Sequence, residues 1–388
     1  MKDHVRRNFL KSLGLGAAMM AVPFKLSSQE NMESSSKMTG EKSSSVFNVR
    51  DFGAKGDGNT PDSDAVQKAL DAAGAVSGTV YFPAGRYLCH DLKVHQHTTV
   101  IAEPQWGYRG DAGAMLIMDS DEADCMLNIT GAYGVHLRGL FLQGRRDTKK
   151  ATHGVFLNND KYSPREDSIV IDDCKIAGFS GHGVHLLRIW LFIIRHSIMQ
   201  SNRGCGVQIT GWDGFVTDNQ FSGNGSHGFG CDNVGATVMF TANRVEWNRG
   251  YGLYLCNGDA WNVTGNCFDR DWSAGICAIK MNTTTITGNV FRRCGKDRNL
   301  LAEGERSCQV RLEECSGLTF VSNTCAAGRD DGGKGIYTPQ VGLILRKLSH
   351  SVITNNTLYR GFMDQMVVDL GEHGDDYIFA NNVGSQMK

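Results

Sequence analysis

The chain has 388 residues, with 40 Lys and Arg against 41 Asp and Glu, for a net charge of −1. That balance, with no basic stripe, excludes a nucleic-acid footprint, and no internal apolar run is long enough to span a membrane. Glycine is abundant (47) and proline scarce (6), and the 12 cysteines include no CxxC pair. Those thiols are expected to be scattered and largely buried, without a disulfide or metal framework.

In chain order, Arg6-Arg7-Asn8-Phe9-Leu10-Lys11 followed by LGLGAAMMAV resembles a twin-arginine export signal. Residues 1–26 are therefore expected to direct export to the periplasm or beyond, leaving no membrane span once removed. Residues 27–45 are polar and low in complexity, the composition of a disordered spacer. Residues 46–105 hold FNVRDFGAKGDG, then DSDAVQKALDAAG, then TVYFPAGRYL. They read as a strand, a Gly-rich turn, a short helix and a strand, suited to capping the open end of a larger repeat.

The repeat occupies residues 106–388. The phrase apolar-x-x-Asn-x-apolar recurs as VTDNQF, FTANRV, VTGNCF, ITGNVF, FVSNTC and ITNNTL, placing Asn219, Asn243, Asn266, Asn289, Asn323 and Asn356 in one slot. Steps of 24, 23 and 23 residues, then 34 and 33 where loops lengthen, give the period of a solenoid. IFANNV extends the slot to Asn381, and sliding the frame backward gives His196 and Cys174. Stacked at the ~4.8 Å spacing of neighbouring strands, such amides can hydrogen-bond along the stack. The predicted fold is an all-β, single-stranded parallel β-helix with an N-terminal cap containing a short helix.

A second phrase alternates with the first: HGVFLNN, HGVHLLR, CGVQITG, HGFGCDN and YGLYLCN. Alternation after the glycine sends Val184 and Leu186 inward and His185 and Leu187 outward. Phe156, Gln208, Gly230 and Tyr254 should align with His185 on one outward strip, with Asp232 and Cys256 beside them. The residues before the glycine form another row: His153, His182, Cys205, His227, Tyr251 and Ala274. A histidine in that row can merely cap a backbone group, whereas nothing in the repeat requires histidine at position 185.

DFGAKGDG and PAGRYL resemble the N-terminal segment of the pectate-lyase/polygalacturonase-like superfamily. The resemblance implies a right-handed helix and a carbohydrate-active protein, but not one reaction. The polygalacturonase pattern of an NTD-like motif, a DD pair and a GHG has counterparts in Asn158-Asn159-Asp160, Asp172-Asp173 and Gly181-His182-Gly183. In the C5-epimerases of the superfamily the active strand carries G-Y-G-F-D-P-H on the early Gly-led strip. Here GHGVHLL stands in that place, with His182 matching the tyrosine, His185 the aspartate, and Leu187 replacing the histidine.

Two chemistries fit these residues. Proton abstraction beside a carboxylate, as in lyases and dehydratases on uronates, needs a base, an acid and partners for the carboxylate. His185, His182, His227, Tyr254 and Asp232 are the candidate catalytic groups, with Arg188, Lys280, Arg311 and Trp212 as substrate-binding candidates. Glycoside hydrolysis needs two carboxylates ~5–10 Å apart. Glu246 and Asp269 share one slot of successive coils, with Asp213, Asp259 and Asp271 as further corner carboxylates. Trp190, Trp212, Trp247 and Trp272 can stack on sugar rings or pack loops. Histidine and tyrosine outnumber paired carboxylates on the strip, which favours elimination on an anionic polysaccharide or oligosaccharide. A third class is a β-helix that only binds glycan. Ca²⁺ assists some lyases of this architecture, but the strip has no dense Asp cluster, so no metal or cofactor is expected.

Overall fold

The computed structural model describes residues 45–110, 112–295, 305–326, 338–361 and 363–384. The twin-arginine-like stretch and all of the spacer but Ser45 lie outside these residues. Apart from helix Ser63–Ala75 and a 3₁₀ turn at Val49–Phe52, the regular elements are strands, and every strand pairing is parallel. The chain winds as a parallel β-helix through three sheets, two of which join into one of 21 strands. The strip sheet, carrying the Gly-led phrase, runs from Leu92–Lys93 to Gln365–Asp369. The corner sheet runs from Val46–Asn48 to Ile378–Ala380. The back sheet has 12 strands, from Asp57–Pro61 to Thr357–Tyr359.

In three coils the strip strand runs on into the corner sheet without a break, as Val184–Arg195, Val207–Thr217 and Phe229–Thr241. Register shifts where these strands bend, at Leu187/Ile189 and Ile209/Gly211. Inward positions are aliphatic or aromatic and fully buried, including Val184, Leu186, Val207, Ile209, Phe229 and Leu253. All 12 cysteines are free thiols, and only Cys256 and Cys267 are more than marginally exposed.

Residues 46–105 do more than cap the coils, because their strands already pair in register along the same sheets, Val46 with Thr79 and Tyr87 with Leu116. The helix exists because Val66, Ala69, Leu70 and Ala73, at helical spacing, are buried together. The two cap phrases touch each other. Arg50 donates to the carbonyls of Lys55 (2.7 Å) and Ala84 (3.0 Å), and Gly56, at φ +58°, lies against the Tyr87 ring, where a Cβ would come within 2.7 Å.

The asparagine slot forms a buried ladder at the corner between the corner and back sheets. The backbone N–H of each residue donates to the side-chain oxygen one coil further on, from Cys174 through Ser197, Asn219, Asn243, Asn266, Asn289, Asn323 and Asn356 to Asn382. Two positions differ from expectation. Ser197 holds the slot assigned to His196, and Asn382 the one assigned to Asn381. His196 and Asn381 instead take the preceding left-handed position, at φ 50° and 52°, as Asp218 does at 54°. The IIRHSI and IFANNV phrases each carry a polar residue at both places, so the sequence frame slipped by one.

A second ladder, not anticipated, links Asn202, Asn224, Asn248 and Asp271 at the corner between the back and strip sheets. Its signature is regular: each stands four residues before a strip glycine, at Gly206, Gly228, Gly252 and Gly275. Asp271 is therefore no solvated corner residue but fully buried, and burial holds its carboxyl well above the ordinary carboxylate range. A raised folded-state pKa favours folding below the unfolded value and opposes it as pH rises. Asp271→Asn would continue the ladder without a charge. It is expected to raise stability at pH 7 by about 0.5–2 kcal/mol, with the gain vanishing near pH 3 in paired urea titrations.

Candidate functional site

The outward face of the strip sheet brings the predicted side chains into the expected rows. Phe156, His185, Gln208, Gly230 and Tyr254 are register partners in successive coils, as are Asn158, Leu187 and Thr210, and Asp232 with Cys256. Thr210 and Asp232 are not partners, because the bulge after Cys231 pushes Asp232 out to an exposed position.

The row before the glycines explains the recurring G-x-G. His153 Nδ1 accepts the backbone N–H of His182 at 2.9 Å, His182 Nδ1 that of Cys205 at 2.9 Å, and His227 Nδ1 that of Tyr251 at 3.1 Å. Each ring lies across the first glycine of the next coil, so a Cβ on Gly181, Gly204 or Gly250 would come within 2.6–2.7 Å of it. The second glycine makes room for the polar ladder, since a Cβ on Gly206 would meet Asn224 Nδ2 at 2.9 Å and one on Gly252 would meet Asp271 Oδ2 at 2.5 Å. The GHG phrase is thus dictated by stacking, and its match to a polygalacturonase motif follows from architecture. Gly204→Ala would also meet the backbone of Gly181 within 3 Å. It is expected to cost about 1–3 kcal/mol, read as a lowered urea midpoint.

The same hydrogen bonds fix the tautomers. A neutral imidazole that accepts at Nδ1 carries its proton on Nε2. His153, His182 and His227 are neutral at pH 7, because burial lowers them to about 4, 3 and 4. Their Nε2 atoms are therefore donors. Among the described residues His185 has no backbone N–H on either nitrogen; its Nδ1 lies 3.4 Å from His153 Nε2 and so accepts that proton. Burial lowers His185 to about 4 as well. Burial pushes Tyr251 and Tyr254 the other way, so both phenols stay protonated. At rest the strip therefore presents neutral donors.

The rings form two groups. His153, Phe156, His182 and His185 pack together, with centroids 4.7 Å apart for His153–His185 and for His182–His185. His227, Tyr251 and Tyr254 form the other, at 4.9–5.3 Å. Gln208 separates them, and its Oε1 covers Gly230, where a Cβ would come within 2.3 Å. His185 and Tyr254 are three coils apart, roughly 14 Å at ordinary strand spacing, so they cannot act on the same sugar ring.

The predicted binding residues are dispersed. Arg188, at a left-handed corner (φ 61°), donates to the carbonyl of Asn159 and the side chain of Asn158 beside the His185 group. Arg311 is held by Glu313 at 2.8 Å and Glu305 at 3.5 Å, and exposed Lys280 lies 3.9 Å from Glu314. Trp212 stacks on Tyr162 with centroids 4.0 Å apart, and the Trp190 indole donates to Asp213. Arg270 covers Trp247, and Arg249 covers Trp272.

The hydrolytic pair lies elsewhere. Glu246 and Asp269 are register partners on the back sheet and both are buried. Arg244 binds Glu246 at 2.9 Å; Arg293 and Arg270 bind Asp269. Asp172, of the Asp172-Asp173 pair, is bound by Arg195 and His196. One nitrogen from each of His153, His182 and His185 lies within 4.8 Å of the others, a spacing that could suit a metal ion. With Nδ1 of His153 and His182 occupied by backbone N–H groups, their Nε2 atoms offer protons where a metal needs lone pairs, so the set suits an anion better.

Residues 46–108 match the family described as rhamnogalacturonase A/epimerase, pectate lyase-like, and residues 146–291 match the right-handed β-helix region. Mannuronan C5-epimerase AlgE2 of Azotobacter vinelandii is 30% identical over 245 residues, 55% of this chain and 23% of that protein. Alginate lyase 7 of the same organism is 64% identical over 42 residues, 11% of this chain and 5% of that protein. The chain thus matches under a quarter of the length of these two relatives. The A-module of the A. vinelandii mannuronan C-5 epimerase AlgE4 superposes with a TM-score of 0.61 at 19% identity, covering 87% of this chain and 96% of the module, a likeness of fold. This chain is a member of the pectate-lyase-like superfamily of right-handed parallel β-helix proteins.

Proposed function

We propose that this chain is an exported enzyme acting on a polyuronate of the alginate class, and that it removes the C5 proton beside the carboxylate and completes an elimination. The observation that carries this reading is His185, an outward, half-buried imidazole with no backbone N–H on either nitrogen among the described residues, amid neutral N–H donors. The kinship with a mannuronan C5-epimerase and an alginate lyase supports the substrate class.

His185 Nδ1 takes the C5 proton while donors stabilise the charge developing on the carboxylate. The C4–O4 bond then breaks as C4=C5 forms, and O4 leaves with a proton from the His185 imidazolium. In a mannuronate unit H5 and O4 lie on the same face of the ring, so one residue can serve both steps. Inversion at C5 would instead need a proton donor on the opposite face of the sugar. Hydrolysis is disfavoured because Glu246 and Asp269 are buried in ion pairs on another sheet.

The test is incubation with polymannuronate, polyguluronate and polygalacturonate, following unsaturated-uronate absorbance, reducing ends and C5 configuration. New absorbance with polymannuronate is the expected result. Reducing ends without absorbance would establish hydrolysis, inverted C5 without chain cleavage would establish epimerisation, and binding without product would leave a glycan-binding module.

A further inference from the structure

The His153–His185 contact raises a chemical difficulty. A base needs a lone pair facing its substrate, and in the resting protein His185 Nδ1 accepts the His153 Nε2 proton. His153 cannot reverse the bond, because its own Nδ1 accepts the His182 backbone N–H at 2.9 Å. His182 is locked in the same way by Cys205, and no acceptor meets its Nε2 among the described residues. Two rings with fixed N–H donors and one with a weakly held lone pair are therefore packed together, with centroids 4.7–5.2 Å apart and one nitrogen of each ring within 4.8 Å of the others.

Resting on the function proposed above, we infer that the Nε2–H groups of His153 and His182 form a uronate carboxylate site, and that filling it releases the His185 lone pair as the base. The direction follows from relative strength. The existing N–H···N contact is neutral and long at 3.4 Å, whereas an N–H bond to a carboxylate is charge-assisted and about twice as strong as a neutral one. A bound carboxylate draws the His153 proton away from His185, and C5 is the carbon bearing that carboxylate. Asp124, whose charge reaches His153, is itself paired with Lys150 and does not fill the site. A neutral sugar has no anionic oxygen to displace the His185 contact, so the same hydrogen bond selects for uronate and arms the base. His153 thereby becomes a substrate-binding residue.

The test uses the full chain and a mannuronate trisaccharide, with carboxyl groups intact or reduced to alcohols. Nitrogen-15 histidine spectra at pH 7 should show the Nε2–H tautomer for all four strip histidines in the free protein. The acidic probe should shift the His153 and His182 Nε2–H protons and the His185 Nδ1 nitrogen, and the reduced probe should leave them unchanged. His153→Gln should bind the acidic probe at least about tenfold more weakly, equivalent to about 1.4 kcal/mol, while His185→Gln binds within twofold of wild type. Equal responses to both probes, or unchanged acidic-probe affinity in a folded His153→Gln, would overturn the carboxylate site. Should that variant fail to fold, the two-probe comparison on the wild type still decides. Selective binding with no C5 chemistry on any polyuronate would remove the proposed function and leave the carboxylate site standing.

Discussion

Replacing His185 with glutamine is expected to lower kcat/KM on polymannuronate by about 10²–10⁴-fold, the ordinary contribution of a positioned general base. The coil should survive, because this side chain accepts no backbone hydrogen bond, and its place in the row is taken by Gln208 one coil later. Circular dichroism and the urea midpoint should match wild type. The pH profile separates a base from a spectator. Burial lowers His185 from 6.5 to about 4, and a base must be neutral in the free enzyme, so the acid limb of kcat/KM should fall near pH 4 instead of 6.5. In the complex a carboxylate stands beside the imidazolium that forms, which favours the charged form, so the acid limb of kcat should lie at higher pH. Wild-type turnover in a folded His185→Gln would remove this residue from the mechanism.

The sequence displayed the fold well because a β-helix repeats its constraints. An asparagine slot recurring at 24, 23 and 23 residues and a glycine before each alternating strand are local signs of contacts made one coil away. The outward rows through His185 and Tyr254 followed from period-two alternation alone. Other features depended on what a neighbouring coil supplies. The Ser197 and Asn382 corrections turn on which of two adjacent polar residues takes the left-handed position, and spacing does not distinguish them. The second ladder was legible as an Asn or Asp four residues before a glycine, but the three residues between change from coil to coil. Tautomers were beyond the sequence altogether. Whether His153 offers a proton or a lone pair depends on a backbone N–H that belongs to residue 182.

The same architecture makes one substitution far more damaging to stability than any on the strip. Asn243 is buried in the middle of the first ladder. Its Oδ1 accepts from the backbone and side-chain nitrogens of Asn219 at 3.0 and 3.1 Å, and its Nδ2 donates to the Val216 carbonyl and to Asn266 Oδ1 at 2.9 and 3.1 Å. Asn243→Leu keeps a similar volume but removes all four bonds. It leaves two donors of Asn219 and the Val216 carbonyl in a corner where burial keeps water from replacing the lost partner. A buried polar group left unsatisfied costs about 1–3 kcal/mol, so the loss should total roughly 4–6 kcal/mol after relaxation, a large share of a typical 5–15 kcal/mol stability. Asn243→Asp keeps the oxygen acceptor but sets a carboxylate against the Val216 carbonyl, and should be damaging at pH 7 and milder at pH 4, where the carboxyl can donate. Asn382→Leu, at the far end of the ladder where Asn382 is only partly buried, should cost about 1–2 kcal/mol, because water can reach the groups it leaves behind. Urea titrations of the three variants would measure this gradient. Equal losses at positions 243 and 382 would mean that the ladder acts bond by bond, with burial adding no penalty of its own.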